Sequence, residues 1–156
     1  MRTIMTALTA FAGCTVTRWY LDRTSHRDEE FCQGRVRLRS LWNEGACFGA
    51  PVPKRLLNIA SSAAMGALCG MLLARRKDSA AAGLLLGGGL SNLLERQLHG
   101  RVLDYVQFPK APGILKRYVF NLADFAILTG GVLLAAGTEK DCSRKGLDLR
   151  CAPGRK

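Results

Sequence analysis

Four stretches of this chain are long, apolar and almost free of charge, and they set what it can fold into. A bilayer core about 30 Å thick takes about 20 apolar helical residues, with a lower limit near 17. The first stretch, 3–21, carries one charge, Arg18, near its end. The second, 56–74, carries none. The third, 79–97, is uncharged from Ser79 to Leu94 and contains Gly87, Gly88 and Gly89, small residues of the kind that let membrane helices pack closely. The fourth, 118–137, holds a single charge, Asp124. A soluble helical bundle would show polar faces at helical period within each segment, and the second and third show almost none. The sequence therefore reads as an all-α membrane protein of one domain, residues 1–137, with four transmembrane helices. A basic tail, 138–156, comes after it.

Mean hydropathy is only +0.05 because arginine-rich segments separate the apolar ones, and the formal net charge is +11. A positive balance of that size attracts nucleic acid or an anionic membrane surface. The basic residues flank apolar runs, so membrane lipids are the expected partner and nucleic acid is not. The compact turn Arg75-Arg76-Lys77-Asp78 suits a cytoplasmic loop. An even number of crossings then puts the tail, with Lys140, Arg144, Lys145, Arg150, Arg155 and Lys156, on the same side, so both termini are expected in the cytoplasm. The outward loops, 22–55 and 95–117, are basic too, against that rule. The first segment has Arg2 but no small-residue cleavage site, and it reads as a retained anchor.

The first outer loop contains Leu41-Trp42-Asn43-Glu44-Gly45-Ala46-Cys47-Phe48-Gly49-Ala50-Pro51. Trp42 and Phe48 suit a membrane interface, and Gly45 and Gly49 permit turns. A small extracytoplasmic β-like cradle is expected here. None of the six cysteines forms a CxxC pair, and inert roles are expected for all. His26 and His99 are the only histidines, and neither has a cluster of ligands around it, so no metal and no cofactor is expected. No GxSxG offers a serine nucleophile.

Ionisable groups at membrane depth are costly and point to function. Asp124 opens the fourth apolar segment, and Asp104 lies just beyond the third. One helix leaves the outer boundary where the next returns, so the two carboxylates can meet. Two carboxylates in contact share one proton, as in aspartic peptidases: the ionised member activates a water and the protonated member polarises a carbonyl. The other reading pairs Asp104 with Arg96 or Arg101 and leaves Asp124 as a charge on a helix N-terminus. From position alone the two readings are level. Asn92 and Arg96 share a helical face with Gly88 and lie just before Asp104. Asn121, three residues before Asp124, either orients a carboxylate or caps the fourth helix.

Three blocks resemble the lipoprotein signal peptidases, the signal peptidase II family. Asn43-Glu44-Gly45-Ala46-Cys47-Phe48-Gly49 resembles its Asn-x-Gly-Ala-Ala-Phe-Gly. The stretch from Gly87 through Asn92, Arg96, Gly100 and Val102 to Asp104 resembles its glycine-rich, Asn-x-x-x-Arg, Gly-x-Val-x-Asp block. Phe120-Asn121-Leu122-Ala123-Asp124-Phe125-Ala126-Ile127 resembles its Phe-Asn-x-Ala-Asp-Ser-Ala-Ile.

The resemblance implies an aspartic endopeptidase of the bacterial cytoplasmic membrane, acting as a monomer. Its substrates would be diacylglyceryl-modified prolipoproteins, cut just before the lipidated cysteine. It implies catalytic roles for Asp104 and Asp124. Asn43, Gly45 and Phe48 fall in the substrate cradle, and Asn92, Arg96 and Asn121 support the dyad and the substrate. Asp22 matches a further positioning aspartate. His26 stands where the family has lysine, Ser91 where it has glycine, Cys47 where it has alanine, Phe125 where it has serine, and Glu95 where it has aspartate. The charged segment 23–39 is unlike the family. A non-catalytic or altered-specificity relative that binds lipidated peptides, and a small membrane scaffold, are the competing readings. The retained aspartates count against both.

Overall fold

The computed structural model of the chain describes residues 1–24, 27–44, 53–75 and 79–150, with backbone alone at 27–28, 54, 73–75 and 138–150. Four helices carry most of it: α1 Arg2–Arg23, α2 Lys54–Arg75, α3 Ala80–His99 and α4 Leu122–Arg150. Four strands stand between them: β1 Arg27–Phe31 and β2 Val36–Asn43 after α1, and β3 Val102–Gln107 and β4 Val119–Phe120 between α3 and α4. They form one antiparallel sheet in the order β1-β2-β3-β4.

Two of the expectations change here. The sheet is larger than a cradle in the first outer loop, because β3 and β4 extend it into the second, and Asp104 lies on a strand. The charged segment 23–39 supplies the β1–β2 hairpin. Its turn holds Cys32, Gln33 and Gly34 at positive φ, and Arg37 pairs with Glu30 across it. The second change is at the fourth segment. The helix starts at Leu122, not at residue 118, because Val119 and Phe120 pair with β3 and Asn121 caps the helix. It then runs unbroken through residue 137 into the tail as far as Arg150.

Among the described residues, one helical window, Arg55–Leu72, is by length and composition apolar enough to cross a membrane, with mean hydropathy 1.3. Leu122–Gly137 is a shorter apolar stretch. The C-terminal part of α3 falls short because it carries Asn92, Glu95, Arg96 and Gln97.

The bundle is built on α3. Glycines let its backbone approach both neighbours. A Cβ on Gly87 would lie 2.5 Å from the Ala7 carbonyl oxygen of α1, and one on Gly88 would lie 2.8 Å from the Ala123 carbonyl oxygen of α4. Any side chain there would force the helices apart. At the sheet end of the bundle, Leu21 of α1 packs with Leu103 and Tyr105 of β3, and Leu38, Trp42 and Val106 pack against this core. The sheet is thereby fixed to the bundle over the ends of α1 and α3.

Candidate active site

Two backbone features bring the carboxylates together. α3 ends at Gly100, whose φ of 70° makes the left-handed stop that releases the chain into β3. β3 then carries Asp104 back over the bundle. From the other side, Asn121 and Asp124 form a reciprocal cap at the start of α4. The Asn121 Oδ1 accepts the Asp124 N–H at 3.0 Å, and the Asp124 Oδ2 accepts the Asn121 N–H at 3.0 Å. Because its oxygen is committed to the cap, the Asn121 amide must present its nitrogen on the other side. That nitrogen donates to Asp104 Oδ1 at 2.7 Å. Capping a helix and orienting a carboxylate, the two readings of Asn121, are therefore one arrangement.

Each carboxylate has a second amide donor. Asn43 Nδ2 donates to Asp104 Oδ2 at 2.9 Å, and Asn92 Nδ2 donates to Asp124 Oδ1 at 3.1 Å. In the β2–β3 register Asn43 faces Val102 and Leu41 faces Asp104, so Asn43 is the diagonal neighbour of Asp104 on one sheet face. Asn92 reaches Asp124 because Gly88, one turn earlier, lets α3 and α4 approach.

Asp104 is 3% exposed. Burial raises its pKa to about 6. The donors Asn43 and Asn121 oppose that rise, the charge of Asp124 adds to it, and the charge of Arg96 opposes it. Asp124 does sit as a charge on the N-terminus of α4, while no ion pair joins Asp104 to Arg96 or Arg101 among the described residues. Arg101 stacks on the Trp42 ring at 4.3 Å, and among the described residues Asp104 is held by neutral amides. The Arg96 Nε is buried, with no hydrogen-bond partner among the described residues.

Gly45, Phe48 and His26 lie outside the described residues. Asp22 is exposed on the last turn of α1, and no interaction among the described residues joins it to the carboxylates. At that level Leu21 takes the inward position. α1 instead turns Cys14 and Arg18, one turn apart, toward the site, where they line a small polar cavity with Ser91, Asn92, Glu95 and Asn121.

Three further residues belong to the frame of the site. Glu95, 3% exposed, accepts the Leu103 N–H at 3.1 Å and pairs with Arg18 at 3.2 Å, tying α1 and α3 to the residue before Asp104. The Tyr105 hydroxyl accepts the Leu122 N–H at 3.0 Å, satisfying a free donor in the first turn of α4. Burial pushes the Tyr105 phenol up to about 12, so it stays neutral. The sequence signal for Arg18 and Glu95 was charge within an otherwise apolar helix. Tyr105 gave none beyond its place beside Asp104.

The fold and the site together define a class: a bundle of apolar helices, capped by an antiparallel sheet, with a buried and a half-buried carboxylate joined through one asparagine. The profile of the signal peptidase II family matches residues 6–138. The chain belongs to that family. It is 36% identical over 103 residues to the lipoprotein signal peptidase of Nitrobacter hamburgensis, covering 60% of this chain and 62% of that protein. It is 37% identical over 103 residues to that of Pelotomaculum thermopropionicum, covering 63% and 64%. A longer match, 29% over 143 residues, joins it to that of Symbiobacterium thermophilum, covering 86% and 91%. The alignments with the first two thus span less than two thirds of those proteins. The fold is that of a bacterial membrane enzyme solved by the in meso method at 2.3 Å, with a TM-score of 0.80 at 23% identity over 92% of this chain and 90% of that one.

Proposed function

We propose that the chain is a membrane aspartic endopeptidase that removes signal peptides from diacylglyceryl-modified prolipoproteins, cutting before the lipidated cysteine. The observation that carries this reading is the double attachment of Asn121. One side chain holds Asp104 and caps the helix at Asp124, so the two carboxylates have a fixed mutual position. The lipidated substrate is inferred from family membership and from the names of the relatives.

In this mechanism one proton is shared between Asp104 and Asp124, and the pair titrates as a unit. The ionised carboxylate takes a proton from a water, whose oxygen bonds to the scissile carbonyl carbon. The protonated carboxyl gives its proton to the carbonyl oxygen, forming a tetrahedral adduct. When the adduct collapses, the C–N bond breaks, the nitrogen takes the proton first removed from water, and one of the adduct's two hydroxyls returns its proton to the pair as the carbonyl re-forms. Asn43 and Asn92 hold the outer carboxylate oxygens, and Arg96 supplies positive charge nearby. Gly45 and Phe48 are assigned to the substrate cradle by family resemblance alone.

The topology proposed is four crossings of the bacterial cytoplasmic membrane, by α1, α2, α3 and the 122–137 part of α4. The sheet then lies outside, the 138–156 tail and both termini lie in the cytoplasm, and the enzyme works as a monomer. The polar residues of the site lower the hydropathy of α3, and the crossings by α1 and the 122–137 part of α4 rest on the family resemblance.

The test is a cleavage assay in detergent with a lipidated prolipoprotein peptide and its unlipidated form. Cleavage of the lipidated form only is expected. Asp104→Asn and Asp124→Asn should each abolish it while the protein still inserts. Full activity in either variant would remove that aspartate from the mechanism.

A further inference from the structure

The outward loops are basic, and the proposed mechanism makes no use of that charge. Part of it is organised around the connection from β3 to β4. The segment Ile114-Leu115-Lys116-Arg117 forms a short 3-10 turn, Leu115–Arg117, that projects from the sheet edge. Ile114 is 64% exposed and Leu115 45% exposed, and Lys116 and Arg117 beside them are exposed as well.

The turn is held rather than loose. Gln107, buried at the end of β3, donates its Nε2 to the Lys116 carbonyl at 3.0 Å, and Gly113 sits at φ 63° to enter the turn. Lys110 donates to the Gln33 carbonyl at 2.6 Å, which brings the tip of the β1–β2 hairpin, with exposed Arg35, to the same end of the sheet. From Tyr105 to Asn121 there is no acidic residue. On the hairpin, Glu30 is paired with Arg37, and Glu29 is exposed beside it.

Strand β4 fixes the position of the turn, because it leads directly into α4, which exposes Leu122, Leu128, Val132 and Leu133. Trp19 and Tyr20 are exposed at the corresponding end of α1, with Arg23 stacked over Trp19 at 4.4 Å. Aromatic residues with attendant cations mark the level of lipid headgroups. Two exposed aliphatic residues next to two cations, rigidly held at that level, match a surface that is apolar just below and anionic just above.

We propose that residues 114–117 are an interfacial anchor for anionic phospholipid. Ile114 and Leu115 insert beneath the headgroups of the outer leaflet, and Lys116, Arg117, Lys110 and Arg35 meet the phosphates. The anchor fixes the sheet, and Asp104 with it, at the membrane surface. This rests on the topology proposed above, and its first test needs no enzymatic activity.

The full chain carrying Leu115→Trp is reconstituted in phosphatidylcholine vesicles with and without phosphatidylglycerol. The added fluorescence should be blue-shifted, quenched by phospholipid brominated near the headgroup, and shielded from aqueous iodide. Emission typical of water, quenched by iodide and not by brominated lipid, would overturn the anchor whether or not the protein cleaves anything.

The second test is cleavage as a function of phosphatidylglycerol content. Stimulation by anionic lipid is expected in the native chain, and Lys116→Gln with Arg117→Gln should reduce it roughly fivefold for each charge removed. Activity of that double variant in pure phosphatidylcholine should be unchanged. If the effect instead depends on acidic residues in the substrate peptide and is equal in all vesicles, the partner is the peptide and the lipid assignment fails. Absence of cleavage by the native chain under every condition, with Leu115→Trp still quenched by lipid, would sink the enzymatic reading and leave the anchor standing.

Discussion

Replacing Asn121 with serine separates its two duties. Serine caps helices about as well as asparagine, so the hydrogen bond to the Asp124 N–H and the start of α4 should survive. It is too short to reach Asp104, and the 2.7 Å donation from Nδ2 is lost. A hydrogen bond to a charged group contributes roughly 1.5–3 kcal/mol, so kcat/KM should fall roughly ten- to hundredfold. The sign of the pH effect depends on which form the donor favours. Asn121 favours ionised Asp104 against the burial that raises it to about 6. Without the donor, the pair that includes Asp104 keeps its proton to higher pH, and its apparent ionisation should move up by about one unit or more. The assay is cleavage of a lipidated peptide between pH 4 and 9, with melting temperature measured in the same detergent. Asn121→Ala should match serine in activity but lose the cap as well, about 1 kcal/mol, which is about 2–4 °C for a chain of this size. Native kcat/KM and an unmoved pH profile in Asn121→Ser would refute the reasoning, whatever happened to its stability.

Two further substitutions probe the frame. Gly88→Ala puts a methyl group 2.8 Å from the Ala123 carbonyl, so α3 and α4 must separate at Asn92 and Asp124. A loss of about 1–3 kcal/mol and a large drop in turnover are expected, read by thermal unfolding and by cleavage. Glu95→Ala strands Arg18 and leaves the Leu103 N–H without its acceptor. A loss of about 3–5 kcal/mol is expected, and native stability in that variant would show that the pair is dispensable.

The helices were legible because long, nearly uncharged apolar runs leave few alternatives. The site was legible as far as its residues were asparagine and aspartate near helix ends. Position alone left Asp104 between catalysis and an ion pair, and register settles its surroundings: β3 directs it to Asn43 and Asn121, while Arg101 goes to Trp42. The β1–β2 hairpin was hidden because its strands are charged and lack clean alternation. Val119 and Phe120 looked like helix because they are apolar and adjoin an apolar run, but pairing with β3 claims them. Asp22 was singled out by its match to a further aspartate of the family. It is exposed on the last turn of α1, whereas Cys14, Arg18 and Leu21 take the inward face of that helix.

Among the groups that hold the two carboxylates, Asn92 and Asn121 lie in or beside the helices that flank the site. Asn43 comes from much farther away in sequence, 61 residues before Asp104, and it rides on a strand. That strand is consequently a lever on acidity. With β2 seated, Asp104 has a donor that eases its ionisation. With β2 drawn away from β3, the carboxylate loses the donor and binds its proton more tightly. The acidity of Asp104 is thus coupled to the pairing of two central strands, β2 and β3, through one amide.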